Sequence, residues 1–267
     1  MTHKIAFIGA GNMAGAIISG ILKNGIAEPC DLAVYDISED QSAKFEKLGL
    51  NVMRSLKDAA EFSDVIFLSV KPQNYEEVLV GLSQSIDEKK LLVSIAAGIS
   101  TAYIKSRIGF DCKVIRVMPN TPLLLGCGAT AMCHCKPVDD EEFALVKGIF
   151  SSSGIVEVLP EEKMNAVIAV NGSSPAYVYL FAKAVIDGAL LLGIDAAAAK
   201  TLICKTLEGA ALMLMESGKE PDELIKMVSS KGGTTVKALE ALYEHGFEDA
   251  LIDAMKRCTD RAEELGR

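Results

Sequence analysis

The apolar run Ile5-Ala6-Phe7-Ile8 leads directly into Gly9-Ala10-Gly11-Asn12-Met13-Ala14, and a helical stretch follows to Asn24. Strand, G-x-G-x-x-A, helix is the pattern that most narrows the folds open to this chain. Gly9 allows the tight turn, Gly11 lets a pyrophosphate approach the backbone, and Ala14 is small enough for close helix–strand packing. A helix amino terminus adds unpaired N–H groups and partial positive charge. Ile8, Gly9, Ala10, Gly11, Asn12 and Met13 are therefore candidate coenzyme contacts. Glycine turns also serve plain structure, but the strand before and the helix after favour dinucleotide binding.

The first 160 residues repeat this alternation. Strands are expected at residues 4–8, 32–36, 65–70, 91–95 and 113–118, nearly continuous in Val, Ile, Leu and Phe. Helices are expected between them, over 39–47, from 74 to about 85 and from 100. Such units imply a parallel sheet with helices on both faces. Asp36 ends the second strand, 22 residues after Ala14. A carboxylate there can accept hydrogen bonds from a ribose diol, or can simply start a turn with Ser38. Ligands of such sheets bind at the carboxyl ends of the strands. Ser69, Val70, Lys71 and Pro72, then Ala96, Ala97 and Gly98, are further candidate coenzyme contacts, and Asn120 is a candidate substrate contact. Ordinary loop chemistry explains these runs equally well.

After Pro160 the β-branched runs stop, and eleven of residues 161–210 are alanine. Ser174-Pro175 reads as a helix start, Asp195 as the next cap and Ser217-Gly218 as that helix's end. Leu251, Met255, Cys258, Ala262 and Leu265 recur at helical spacing. The expected class is α/β: an amino-terminal Rossmann-type parallel-sheet domain over 1–160, then an all-helical domain over 161–267.

Charge and cysteine usage narrow the partners. Lys and Arg total 27 against 36 Asp and Glu, a net of −9, which disfavours nucleic acid and anionic membrane. The apolar stretch 176–193 carries Lys183 and Asp187 near its middle, which disfavours a membrane span and suits a core or subunit interface. Seven scattered cysteines behind no signal peptide suggest reduced thiols in the cytoplasm. Cys133-His134-Cys135 lacks a second ligand pair, so a buried strand is expected there and no metal.

The chain resembles the pyrroline-5-carboxylate reductase family over nearly its whole length. The resemblance lies in residues 7–14, in Val70-Lys71-Pro72-Gln73, in Arg116-Val117-Met118-Pro119-Asn120-Thr121-Pro122, and in Asn171-Gly172-Ser173-Ser174-Pro175-Ala176-Tyr177-Val178. Most specific is Val228-Ser229-Ser230-Lys231-Gly232-Gly233-Thr234-Thr235-Val236. It implies reduction of 1-pyrroline-5-carboxylate to L-proline, the last step of proline biosynthesis, with hydride from NADPH or NADH. It also implies dimerisation through interleaved carboxyl-terminal helices, with decamers of five dimers common in the family. The loop matching residues 229–235 would hold substrate against the nicotinamide, and Thr235 would be the catalytic hydroxyl beside the imine nitrogen. The family's habit is NADPH, whereas Asp36, where the family often carries a small polar or basic residue, favours NADH. Asn171 and Ser174 also depart from the family's usual serine and glycine.

The residues themselves are compatible with that chemistry. Gly232 and Gly233 precede an expected helix with Val236, Leu239 and Leu242 on one face. Its first N–H groups form an anion site suited to a carboxylate, and Ser230, Thr234 and Thr235 add hydroxyl donors. A glycine turn with a threonine cap is the plainer alternative. His3, His134 and His245 sit in no motif. Imine reduction needs positioning more than a strong acid. Two rivals remain: a β-hydroxyacid dehydrogenase using Lys183, and a dinucleotide-binding sensor without chemistry.

Overall fold

The computed structural model describes residues 3–266. Eight strands form one sheet in the order β3-β2-β1-β4-β5-β6-β7-β8. They are β1 (Ile5–Ile8), β2 (Leu32–Tyr35), β3 (Asn51–Val52), β4 (Val65–Leu68), β5 (Leu91–Ser94), β6 (Lys113–Met118), β7 (Gly128–His134) and β8 (Gly154–Val158). Helices α1 (Asn12–Lys23), α2 (Glu39–Glu46), α3 (Leu56–Phe62), α4 (Tyr75–Ser83), α5 (Thr101–Ile108) and α6 (Asp140–Ser151) connect them.

Pairing is parallel throughout except between β6 and β7. That exception follows from connection length. Only residues 119–127, with one 3-10 turn at Thr121–Leu125, join β6 to β7. A parallel return needs a crossover of about a dozen residues or more. β7 therefore folds back against β6, and the α6 crossover makes β8 parallel to β7. The expectation of a parallel sheet holds from β3 to β6. The strand expected around Cys133 and His134 is the end of β7, whereas the strands β3 and β8 and the helices α3 and α6 have no counterpart among the expected elements.

Both faces of the sheet are buried. Phe7, Phe67, Val93 and Val117 pack with α1 and α6 on one side, and Phe7 stacks on Phe67 with ring centroids 4.6 Å apart. Ile66, Leu68, Leu92 and Val114 pack with α4 and α5 on the other. Order reverses between β1 and β4, so the crevice at their carboxyl ends is the expected ligand position.

The chain divides into two compact units. One runs to Ser173 and resumes at Lys256; the other is Ser174–Met255. The boundary thus lies thirteen residues beyond Pro160, where the composition changes. Residues 161–173 pack with the sheet unit: Met164 and Ile168 cluster with Met118, Ala131 and Cys133, together with Ala262.

The second unit is helical: α7 (Ser174–Leu191), α8 (Ala196–Glu216), α9 (Pro221–Met227), α10 (Thr234–Glu244) and the first part of α11 (Phe247–Leu265). Asp195 caps α8 by accepting the N–H groups of Ala197 and Ala198 at 2.9 and 3.1 Å. α7 has no buried residue in the single chain, and Leu180 and Leu191 are 68 % and 90 % exposed. Lys183 pairs with Asp187 at 2.5 Å on its exposed surface. No helix among the described residues is long and apolar enough to cross a membrane.

Candidate active site

In the sheet unit the expected coenzyme residues converge on the carboxyl ends of β1, β2, β4 and β5. Gly9 adopts φ +97°, and its N–H donates to Tyr35 O at 2.8 Å. A Cβ there would lie 2.7 Å from both the carbonyl carbon and oxygen of Ser69, so only glycine lets β1 turn this close to β4. Gly11 is different: nothing lies within 4 Å of the Cβ it lacks. It caps α1 without a side-chain bond, and α1 has no acid in its first turn. The N–H groups of Asn12, Met13 and Ala14 are among the four that a helix leaves without carbonyl partners.

Asp36 stands just beyond β2. One carboxylate oxygen accepts Ala10 N–H at 2.7 Å and the other accepts Ser38 N–H at 2.9 Å. Asp36 therefore starts the turn with Ser38, and the same side chain also touches the glycine loop. Each oxygen keeps a second lone pair for a ribose hydroxyl.

Ser69 N–H donates to Ile8 O at 2.8 Å, while its hydroxyl is buried without a hydrogen-bond partner. Buried polar groups are seldom left so, and an orphan at a cradle lip calls for a ligand. The open face of Gly11, the bare start of α1 and the Ser69 hydroxyl together fit a dinucleotide. Val70 is half-buried and Lys71 exposed, with Lys71 and Pro72 at the start of a 3-10 turn. Ala96 is buried at the end of β5.

Two expected contacts also carry structural work. Gly98, at φ +84°, lies against the carbonyl of Ala262 and the side chain of Leu265, so α11 occupies the room its missing Cβ leaves. Asn120 is buried, and its amide oxygen accepts Ala129 N–H at 3.0 Å, tying the β6–β7 connection to β7.

The second set of expected residues lies in the helical unit. Gly233 is the cap residue of α10 and makes no side-chain cap bond. Its N–H donates to Ser230 O at 2.9 Å, closing a turn in which Gly232 takes φ +74°. A Cβ at Gly233 would lie 2.6 Å from Ser230 Oγ, so that hydroxyl depends on the glycine for its place. Thr234 is exposed and Thr235 half-buried on the first turn. The glycines leave an uncapped 11-residue helix with its first N–H groups available to an anion.

The structure also shows a buried polar lattice under the end of β5 and β6. Arg116, 2 % exposed, donates through Nη2 to Asn165 Oδ1 at 2.5 Å and places Nη1 3.9 Å from Glu161 Oε1. Its Nε has no partner. Burial lowers its pKa; nearby Cys133 and Glu161 oppose that. Glu161 in turn accepts Thr101 N–H at 2.7 Å and the Thr101 hydroxyl at 2.5 Å. Tyr75, wholly buried, donates to Leu68 O at 2.7 Å and meets Ser94 Oγ at 3.0 Å; desolvation raises its pKa. Glu161 and Thr101 lie in no motif of the sequence. The available signal was Arg116 itself, a cation inside an otherwise apolar run, which demands a partner.

Comparison with known proteins matches separate stretches of the chain to two family models. Residues 161–265 match the family model "Pyrroline-5-carboxylate reductase dimerisation", and residues 4–98 match "NADP oxidoreductase coenzyme F420-dependent". The chain is 39 % identical to the pyrroline-5-carboxylate reductase of Escherichia coli K12, covering 100 % of both chains. The crystal structure of a Plasmodium falciparum pyrroline carboxylate reductase with NADP bound superposes with a TM-score of 0.92 at 30 % identity, over 99 % of this chain and 98 % of that one. The 1-pyrroline-5-carboxylate reductase of Streptococcus pyogenes gives 0.90 at 32 %, over 98 % of each.

Proposed function

The chain belongs to the pyrroline-5-carboxylate reductase family, and on that premise we propose how its own residues carry the reaction. It is an NAD(P)H-dependent oxidoreductase that reduces 1-pyrroline-5-carboxylate to L-proline, the final step of proline biosynthesis. The observation that carries the site assignment is the presence in one chain of a glycine-built dinucleotide cradle and a glycine-opened, uncapped helix. Bound NAD(P)H supplies the hydride.

Gly9, Ala10 and Gly11 with the start of α1 bind the pyrophosphate, Asp36 takes the adenosine ribose, and the carboxyl ends of β4 and β5 receive the nicotinamide half. The substrate carboxylate rests on the N–H groups after Gly233, with Ser230 and Thr234 adding donors. The Thr235 hydroxyl accepts a hydrogen bond from the protonated imine nitrogen, which keeps its proton while the ring carbon gains hydride. A protonated imine is already electrophilic, so orientation rather than acid catalysis is what the chain contributes. This explains why no histidine is needed.

The protein is a homo-oligomer built through its dimerisation region, residues 161–265. We extend this to five dimers in a decamer and to a cytoplasmic location, the latter supported by seven free thiols. Lys183, which the dehydrogenase alternative requires, is exposed and neutralised by Asp187 four residues on. Coenzyme oxidation followed at 340 nm, with and without 1-pyrroline-5-carboxylate, tests the reading. Substrate-dependent oxidation is expected; its absence with either coenzyme would overturn the assignment.

A further inference from the structure

We propose that Glu161 is a positioning residue for the coenzyme: it fixes the loop between β5 and α5, and buried Arg116 holds Glu161 in place. The inference rests on the reading that Ala96 and Ala97 in this loop receive the nicotinamide half.

Residues 95–100 are held from three sides. Ile95 N–H donates to Leu68 O at 3.4 Å, and Gly98 is pressed against the carbonyl of Ala262 in α11. At the far end Glu161 takes both the N–H and the hydroxyl of Thr101. Starting the helix does not require this arrangement. Ser100 already caps α5, accepting Tyr103 N–H at 3.1 Å. Glu161 adds a second anchor, bidentate and charged, at the residue where the loop becomes helix. Charge-assisted bonds of this kind are shorter and stronger than neutral ones.

Arg116 explains how a carboxylate can be kept there. The guanidinium lies inside β6, whose register pairs Arg116 with Ser94 at the end of β5. It reaches Asn165 and Glu161, four residues apart in the segment that follows Pro160. The relay therefore runs from the sheet through Arg116 and Glu161 to Thr101 and the loop. Misplacing a reacting group by about 1 Å is costly. A loop of small residues has little side-chain packing of its own to resist it.

The test uses the full-length enzyme and two variants of Thr101, a residue outside the binding machinery. Thr101→Val removes the hydroxyl bond and keeps the shape, whereas Thr101→Ser keeps the bond. The expected result is a rise of about tenfold in KM for NADH in Thr101→Val, the effect of one lost bond to a charged acceptor. KM for the imine should stay unchanged, and Thr101→Ser should restore the wild-type value. Glu161→Gln should act in the same direction, and if it does not fold, the Thr101 pair carries the test alone. A folded Thr101→Val enzyme with wild-type KM for NADH would overturn the proposal. So would a lower melting temperature with both KM values moving together, the mark of a merely structural anchor. Wild-type assays separate the two levels. No imine-dependent oxidation by the unaltered protein defeats the reductase reading, whereas normal turnover with an inert Thr101→Val defeats only the positioning role.

Discussion

The carboxylate of Asp36 reaches across from β2 to accept the N–H of Ala10 at 2.7 Å, so the residue expected to choose the coenzyme also braces the glycine loop. A 2′-phosphate brought to roughly 4 Å from this carboxylate is repelled by about 1 kcal/mol in water and about 4 kcal/mol at the effective dielectric of a protein surface. That is roughly fivefold to several hundredfold in affinity. NADH is therefore expected to give the higher kcat/KM. Asp36→Asn keeps an acceptor for Ala10 and removes the charge, so it should narrow the preference. Asp36→Ser should also loosen the loop and weaken both coenzymes. Equal efficiency with both coenzymes in the wild type would refute the assignment.

Gly9 and Gly11 should fail in different ways. At Gly9 a Cβ meets the Ser69 backbone and φ is +97°, so Gly9→Ala should cost about 1–3 kcal/mol of stability along with coenzyme binding. At Gly11 a Cβ meets nothing and φ is −78°. Gly11→Ala should melt like wild type yet bind NADH more weakly. Calorimetry and titration on the same samples check both; a Gly11→Ala protein with unchanged affinity would exclude that surface as the pyrophosphate site.

Thr235 is expected to act on kcat. A hydrogen bond to a charged group contributes about 1.5–3 kcal/mol, so Thr235→Ala should lower kcat about ten- to a hundredfold. Thr235→Val should match it, Thr235→Ser should retain most activity, and NADH affinity should stay level in all three. A helix-cap role instead predicts about 0.5–2 kcal/mol less stability with normal kcat in the folded fraction.

Association should depend on the apolar surfaces of α7 and α8. Leu180, Leu202 and Met215 are 68 %, 65 % and 71 % exposed in the single chain, an arrangement that suits a partner rather than water. Leu180→Lys is expected to shift sedimentation toward monomer and abolish turnover. An unaltered sedimentation coefficient would place the interface elsewhere.

The cysteines should separate by burial. Desolvation pushes the Cys112 thiol up to about 11 and Cys133 up to about 12, from an ordinary value near 9.0. A thiol reagent at pH 8 should modify exposed Cys30 and Cys127 quickly, and Cys112 and Cys133 only on unfolding. Above about pH 9 the unfolded chain loses these protons first. Their contribution to stability is therefore intact below that pH and falls as pH rises toward 11–12. A flat melting temperature between pH 8 and 10.5 would contradict this.

The features the sequence determined by itself are those with local causes. Gly9 and Gly11, the Asp195 and Ser100 caps, and the Pro175 and Gly233 helix starts each act within one turn of chain, so their chemistry can be read without partners. The runs of Val, Ile and Phe likewise announce strands buried on both faces. Tertiary structure decided the rest. The nine-residue connection after Met118 turned β7 against β6, and packing carried residues 161–173 into the sheet unit despite their helical texture. The Arg116–Glu161–Thr101 lattice joins residues up to 60 positions apart, and Gly98 keeps its glycine because Ala262 lies against it. Those relationships arise from desolvation and close contact, which exist only once distant segments share one interior.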